Sequence, residues 1–266
     1  MQGTHQLFDH PKPTIGVVHL PPLIGSPQSR QPLHEIRARA LLDAASLIDN
    51  GIDGVIIENY GDAPFYPDSV EPHTVAALAL ITGEIRERYP QTPIGINVLR
   101  NDAKSAMAIA TVTGANFIRV NVHTGAMLTD QGIIQGRAHE TLRYRSVLKS
   151  EVKIFADIAV KHAVPLAAID IVASAEDTYH RGLADALIVT GVATGKGIDL
   201  DQLKSVKSAI PQASIFVGSG VTVDSLAEVL QYADGVIVGT SIKRDGITTN
   251  AVDADRVRTL IKAREG

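Results

Sequence analysis

Cysteine is absent from this 266-residue chain, which excludes disulfides, thiolate nucleophiles and Cys-ligated zinc or iron–sulfur centres. Tryptophan is absent too, and aromatic residues make up only 4%, so there is little on which nucleobases could stack. With a net charge of −4 and no dense Lys/Arg run, nucleic acid drops out as a partner. No segment approaches the roughly 18 continuous apolar residues of a spanning helix, and the first dozen residues lack a basic stretch followed by an apolar core. The expected location is therefore cytoplasmic. What is present, 45% hydrophobic and 20% charged residues, is the balance of a soluble globular protein with enough apolar side chain for a large core. The length is close to the roughly 250 residues typical of an eightfold barrel.

Short β-branched runs at 15–19, 54–58, 94–98, 117–121, 153–157, 186–190, 214–218 and 235–239 alternate with longer helical patterns, the signal for parallel βα units. In the first helical pattern Leu33, Ile36, Ala40, Leu41, Ala44, Leu47 and Ile48 recur at three- and four-residue steps, and Asn50-Gly51 supplies a left-handed stop. Comparable stripes run through 75–85, 103–110, 138–148, 173–183, 200–210, 226–230 and 257–261. Eight pairs predict an α/β fold, a single (β/α)8 TIM barrel of the phosphate-binding type, as one domain over 1–266 with 1–13 as an N-terminal extension. An open doubly wound sheet is the alternative. The longest connection without a clear element is 122–137; a loop of that size in a compact domain is usually functional or mobile.

In such a barrel the site lies at the C-terminal ends of the strands. The polar residues that finish strands are His19, Glu58 and Asn59, Asn97, Arg119 and Asn121, Asp157, and Thr190. A single member can merely cap a helix or hold a loop; the set together points to one cavity. His19, Glu58 and Asp157 are the candidates for catalytic proton transfer. The others, with His162, are candidates for substrate binding. The same three titratable residues could instead hold a divalent ion such as Zn, Mn or Mg, although ligands on three separate strands give no spacing test. His123 lies in the long loop as a candidate lid residue.

The last two βα loops read Gly218-Ser-Gly-Val-Thr222 and Gly239-Thr-Ser-Ile-Lys243. Small residues between a strand and the next helix let backbone N–H groups approach an oxyanion. Gly218, Ser219, Gly220, Gly239 and Thr240 are thus candidate phosphate contacts, with Gly191 after the sixth strand joining them. Tight turns alone, with Thr222 only capping a helix, are the competing account. The segment Thr190-Gly-Val-Ala-Thr-Gly-Lys-Gly197 has a glycine-rich look but lacks the spacing and the Ser or Thr of a nucleotide P-loop.

Several stretches together resemble the BtpA/SgcQ family. They are Ile15-Gly-Val-Val-His-Leu-Pro-Pro-Leu23, Asp53-Gly-Val-Ile-Ile-Glu-Asn59 with Asp62-Ala-Pro-Phe65, Gly95-Ile-Asn-Val-Leu-Arg-Asn-Asp102 and Phe117-Ile-Arg-Val-Asn-Val122. The series continues through Thr129-Asp-Gln-Gly-Ile-Ile134, Asp157 with Val160-Lys-His162, Ala184-Asp-Ala186 with Thr190-Gly191, and Gly218-Ser-Gly220. The resemblance implies a phosphate-binding barrel and, in its cyanobacterial branch, photosystem I biogenesis with peripheral thylakoid association. The implied partners are a phosphorylated small molecule, photosystem I or a thylakoid surface, and further copies of the chain in a homo-oligomer. The same superfamily includes phosphoribosylanthranilate isomerase. Its cysteine base ends strand 1 where this chain has His19, while Asp157 matches the position of its acid, so related substrates are implied rather than the same reaction.

Overall fold

The computed structural model describes residues 7–159, 163–167, 170–190 and 199–265. Its strands are β1 (Thr14–His19), β2 (Gly54–Glu58), β3 (Ile94–Asn97), β4 (Phe117–Val120), β5 (Ala126–Thr129), β6 (Gly132–Gln135), β7 (Lys153–Ala159), β8 (Ala163–Pro165), β9 (Ala186–Val189), β10 (Ser214–Val217) and β11 (Gly235–Val238). Its helices are α1 (Leu33–Ile48), α2 (Pro72–Arg88), α3 (Ala103–Thr113), α4 (Ala138–Val147), α5 (Ile171–Glu176), α6 (Leu200–Ala209), α7 (Val223–Tyr232) and α8 (Ala254–Glu265). Eight of the strands, all parallel to their neighbours, close in the order β1-β11-β10-β9-β7-β4-β3-β2. The fold is the expected TIM barrel, and the open-sheet alternative is excluded by the β1–β11 pairing.

Strand periodicity separates two cores. Residues such as Val18, Ile57, Ile96, Ile118, Leu187, Ile215 and Val236 face outward and meet the helices. Their neighbours Ile15, Val17, Ile56, Phe117, Phe155, Ile188, Phe216 and Ile237 fill the interior. Inside, the Phe155 ring lies 4.5 Å from that of Phe117 and 5.0 Å from that of Phe216. Phe8, from the N-terminal extension, adds its ring 6.1 Å from Phe117, so the extension reaches into the interior. A Cβ on Gly95 would lie 2.3 Å from the Phe117 ring, and one on Gly235 would lie 2.5 Å from Phe216. Those positions are glycine because the rings occupy the space.

The N-terminal end of the barrel is tied by a motif that recurs four times. The residue just before β2, β4, β9 and β11 accepts a hydrogen bond from the first or second backbone N–H of the preceding barrel strand. Asp53 accepts from Thr14 at 2.7 Å, Asn116 from Ile94 at 3.0 Å, Asp185 from Ile154 at 2.9 Å and Asp234 from Ile215 at 2.8 Å. Each acceptor also takes a cation from a helix: Arg264 of α8, Arg86 of α2, Arg145 of α4 at 2.7 Å and Lys207 of α6 at 2.6 Å, respectively. A strand end therefore gains a backbone partner, and a helix is pinned beside it.

Two regions depart from the sequence expectation. Residues 122–137, read as a connection without structure, contain β5 and β6, which form with β8 a small antiparallel sheet of order β6-β5-β8. Met127 pairs with buried Ile134 in this sheet, while Leu128 pairs with Ile133 and Val164 on an exposed face. The helix expected over 173–183 is the short α5 followed by a π-helical turn over Asp177–Arg181.

Asp185→Ala is expected to lower stability by about 2 kcal/mol, because it leaves the Ile154 N–H and the Arg145 guanidinium without their partner. The readout is a lower urea midpoint at unchanged slope. Asp68→Ala, which removes an exposed partner of Arg137, should move the midpoint by less than about 0.5 kcal/mol.

Candidate functional site

Parallel register brings the first three strand ends to one level. His19 pairs with Glu58, and Glu58 pairs with Asn97; neighbours in register point to the same side of a sheet, here the barrel interior. The His19 Nε2 lies 3.7 Å from Glu58 Oε1, and Asn97 Nδ2 donates to Glu58 Oε2 at 2.7 Å. Tyr60 meets the imidazole edge-on, with ring centroids 4.9 Å apart. Burial drives the His19 pKa well below its ordinary value, helped by the positive charges of Lys243 and Arg119. Burial also raises the Glu58 carboxyl, against the pull of Arg119 and Asn97. A neutral imidazole thus faces a carboxyl that holds its proton more tightly than an exposed one.

A second group forms across the mouth. Arg119 Nη2 donates to both Asp157 oxygens at 3.2 Å, and Asn121 Nδ2 donates to Asp157 Oδ2 at 2.8 Å. The Thr190 hydroxyl is 3.4 Å from Asp157 Oδ1. Burial pushes the Asp157 carboxyl up, and Arg119 and Asn121 oppose it. Two atoms beside these groups, Asn121 Oδ1 and Ser219 Oγ, are buried and have no hydrogen-bond partner among the described residues.

The two glycine loops close the ring. A Cβ on Gly218 would sit 3.1 Å from Arg119 Nη2 and 3.2 Å from Thr190 Oγ1, and one on Gly239 would sit 2.8 Å from His19 Cε1. The backbones therefore run close to strand-end side chains, Gly218 beside Arg119 and Thr190 and Gly239 beside His19. Gly220 has φ +77°, a left-handed turn that glycine adopts without strain. Thr222 does cap α7, in a capping box with Ser225, and that role leaves Gly218, Ser219 and Gly220 ahead of the helix N-terminus. Thr240 Oγ1 is 2.9 Å from Thr248 Oγ1.

Several expected residues have other positions. Asn59 uses its amide inside the chain, donating to Asp62 at 3.0 Å and accepting from the Leu99 N–H at 2.7 Å; it shapes the loop rather than facing a substrate. His123 is buried, with Nε2 2.8 Å from the Gly182 carbonyl, and burial lowers its pKa. Its ring is tied to the turn that follows the π-helical segment Asp177–Arg181. His162 and Gly191, with the rest of the glycine-rich segment 191–197, lie outside the described residues. Among the described residues no three His, Asp or Glu side chains converge to hold a metal ion; Asp157 is committed to Arg119 and Asn121. Two basic residues were not singled out from the sequence. Arg100 is buried within electrostatic reach of Asp157 and Glu58. Lys243 is fully buried, and burial pulls its pKa down to about 8.

Comparison with known proteins extends this picture. Photosystem I biogenesis protein BtpA of Synechocystis sp. is 46% identical over 97% of this chain and 90% of that protein. An uncharacterized protein of the archaeon Thermococcus kodakarensis is 47% identical over 94% of each. Among solved structures, N-(5'-phosphoribosyl)anthranilate isomerase from Pyrococcus furiosus superposes with a TM-score of 0.56 at 13% identity, covering 96% of this chain and 98% of that one. At that identity the likeness is one of fold. The BtpA family model matches residues 10–266, and the chain belongs to the BtpA family.

Proposed function

We propose that this protein is an enzyme that moves protons on a phosphorylated sugar or nucleotide derivative. The observation that carries the reading is the pairing of neutral-leaning His19 with proton-retaining Glu58 at 3.7 Å, with the Gly239 backbone close to the imidazole. His19 is assigned as the base that takes a proton from the substrate, and Glu58, oriented by Asn97, as the acid that returns one. Asp157, fixed by Arg119 and Asn121, faces developing positive charge or a hydroxyl. Gly218, Ser219, Gly220, Gly239 and Thr240 are assigned to the phosphate, where backbone N–H groups and the α7 N-terminus favour an anion. A neutral imidazole beside a carboxyl that retains its proton, the one lowered and the other raised by burial, suits isomerisation by proton transfer, and the same groups serve lyase or hydrolytic chemistry.

A second reading is a part in photosystem I biogenesis, supported by the name of the Synechocystis relative. A relative of equal identity in an archaeon, which has no thylakoids, favours a chemistry shared across the family over a thylakoid-specific task. Among the described residues no helix is long and apolar enough to cross a membrane. Of the basic residues on α4, Arg145 is bound to Asp185.

A thermal-shift screen against phosphorylated sugars and nucleotides tests the proposal. A ligand at a hundredfold excess over its Kd should add about 2.7 kcal/mol to the wild type and little to Gly220→Asp, which places a carboxylate in the anion loop. Silence of the wild type across the screen would move the weight to the assembly reading. Glu58→Gln should keep the ligand response and lose turnover.

The raised Glu58 pKa also sets a sign. A carboxyl that holds its proton more tightly when folded contributes stability fully present below its unfolded pKa of about 4.5 and lost as pH rises through its folded pKa. Glu58→Gln should therefore gain in urea midpoint relative to wild type as pH rises from 4.5 toward neutrality. A pH-independent difference would contradict the assignment of Glu58 as a proton-retaining acid.

A further inference from the structure

Lys243 follows the loop of Gly239 and Thr240, and its side chain is wholly inaccessible to solvent. Its Nζ lies 3.6 Å from Asp43 Oδ2 of α1, and neither atom has a hydrogen-bond partner among the described residues. The other Asp43 oxygen accepts from the Val252 N–H at 2.8 Å and lies 3.2 Å from Arg39 Nε. Lys243 and Val252 are themselves joined by an antiparallel bridge. The stretch from 243 to 252 is therefore clipped to α1 at both ends, with the ammonium buried between.

Anchoring alone does not require that charge. Burying an ammonium group is costly, and an apolar side chain of similar length at such a position is often as stabilising or more so. The ammonium has titratable neighbours besides Asp43. It lies within electrostatic reach of His19 and of Glu58. The charged groups around it are Asp43 and Arg39 from α1, His19 from β1 and Glu58 from β2, and Arg119 from β4 acts on the same imidazole. Four residues upstream, Gly239 runs so close to the His19 ring that a Cβ there would lie 2.8 Å from Cε1. One loop thus delivers both a steric and an electrostatic constraint to that imidazole.

We propose that Lys243 is a positioning residue of the candidate site: held on Asp43, it fixes the Gly239–Thr240 turn against His19 and biases the imidazole to its neutral, proton-accepting form. The proposal rests on the reading of His19 as the base. It predicts that the imidazole senses the charge of Lys243 whether or not a phosphorylated ligand is ever found.

The test is an NMR titration of the full chain with labelled histidine rings, the His19 signal among the nine being assigned from His19→Gln. In the wild type the neutral His19 ring should show a second, small inflection near pH 8, where Lys243 loses its proton. In Lys243→Met that inflection should vanish, and the protonation midpoint of His19 should rise by about half a pH unit, the effect of removing a nearby positive charge at the effective dielectric of a protein interior. A Lys243→Met protein with an unchanged His19 midpoint would show Lys243 to be a structural anchor only and overturn the proposal. Should that variant not fold, the wild type decides: a His19 ring without an inflection between pH 7 and 9.5 overturns it equally. Because no ligand enters the titration, a silent ligand screen and a failed coupling are separate results.

Discussion

The structure depends on how the N-terminal end of the barrel satisfies its backbone. The first N–H groups of a parallel strand emerge from a loop with no strand residue opposite, and a buried donor left unpaired costs as much as a lost hydrogen bond. Asp53, Asn116, Asp185 and Asp234 meet four such donors and bind four cations from neighbouring helices. The recurrence at every second barrel strand divides the barrel into four similar βαβα quarters. Closure at this end frees the opposite end for groups that contribute little to folding.

Those groups are expensive to keep. His19, Glu58, Asn97, Asn121 and Asp157 replace apolar side chains in the uppermost layer of the interior, above Val17, Ile56 and Phe155. The carboxyls of Glu58 and Asp157 are both shifted upward because burial outweighs their partners. Such a layer is tolerated only over a well-packed interior, and the ring stack of Phe117, Phe155 and Phe216 supplies it. Phe8 extends the stack from a segment that composition marks as a mere extension.

Much of this was legible before the structure. Barrel strands are short β-branched runs and helices carry a period near 3.6, so the eight pairs could be read directly, and strand-end polarity located His19, Glu58, Asn97, Arg119, Asn121, Asp157 and Thr190 together. Asn59 misled because a polar residue one step past a strand looks the same whether it faces the mouth or its own loop. The four-part tie escaped because its members sit 63, 69 and 49 residues apart (53 to 116, 116 to 185 and 185 to 234), with one Asn among three Asp, and no periodicity search joins them. The hairpin of β5 and β6 was hidden because its strands are only four residues long and its apolar residues lie on both faces. Lys243 ends the Gly239–Lys243 loop with nothing in the sequence to single it out; only its burial does so.

The position of Lys243 also connects the two ends of the argument. Its partner Asp43 belongs to α1, the helix that leads from the β1 end bearing His19 to the Asp53 tie beneath β1. Packing of α1 on the barrel therefore links the tie beneath β1 to the seat of the buried Lys243 ammonium. A rigid scaffold element with two such attachments holds a side chain in place more firmly than a loop residue would. The buried cation of the last loop accordingly has its partner on a helix of the scaffold, Asp43 of α1, and its seat is fixed by the same packing that holds β1.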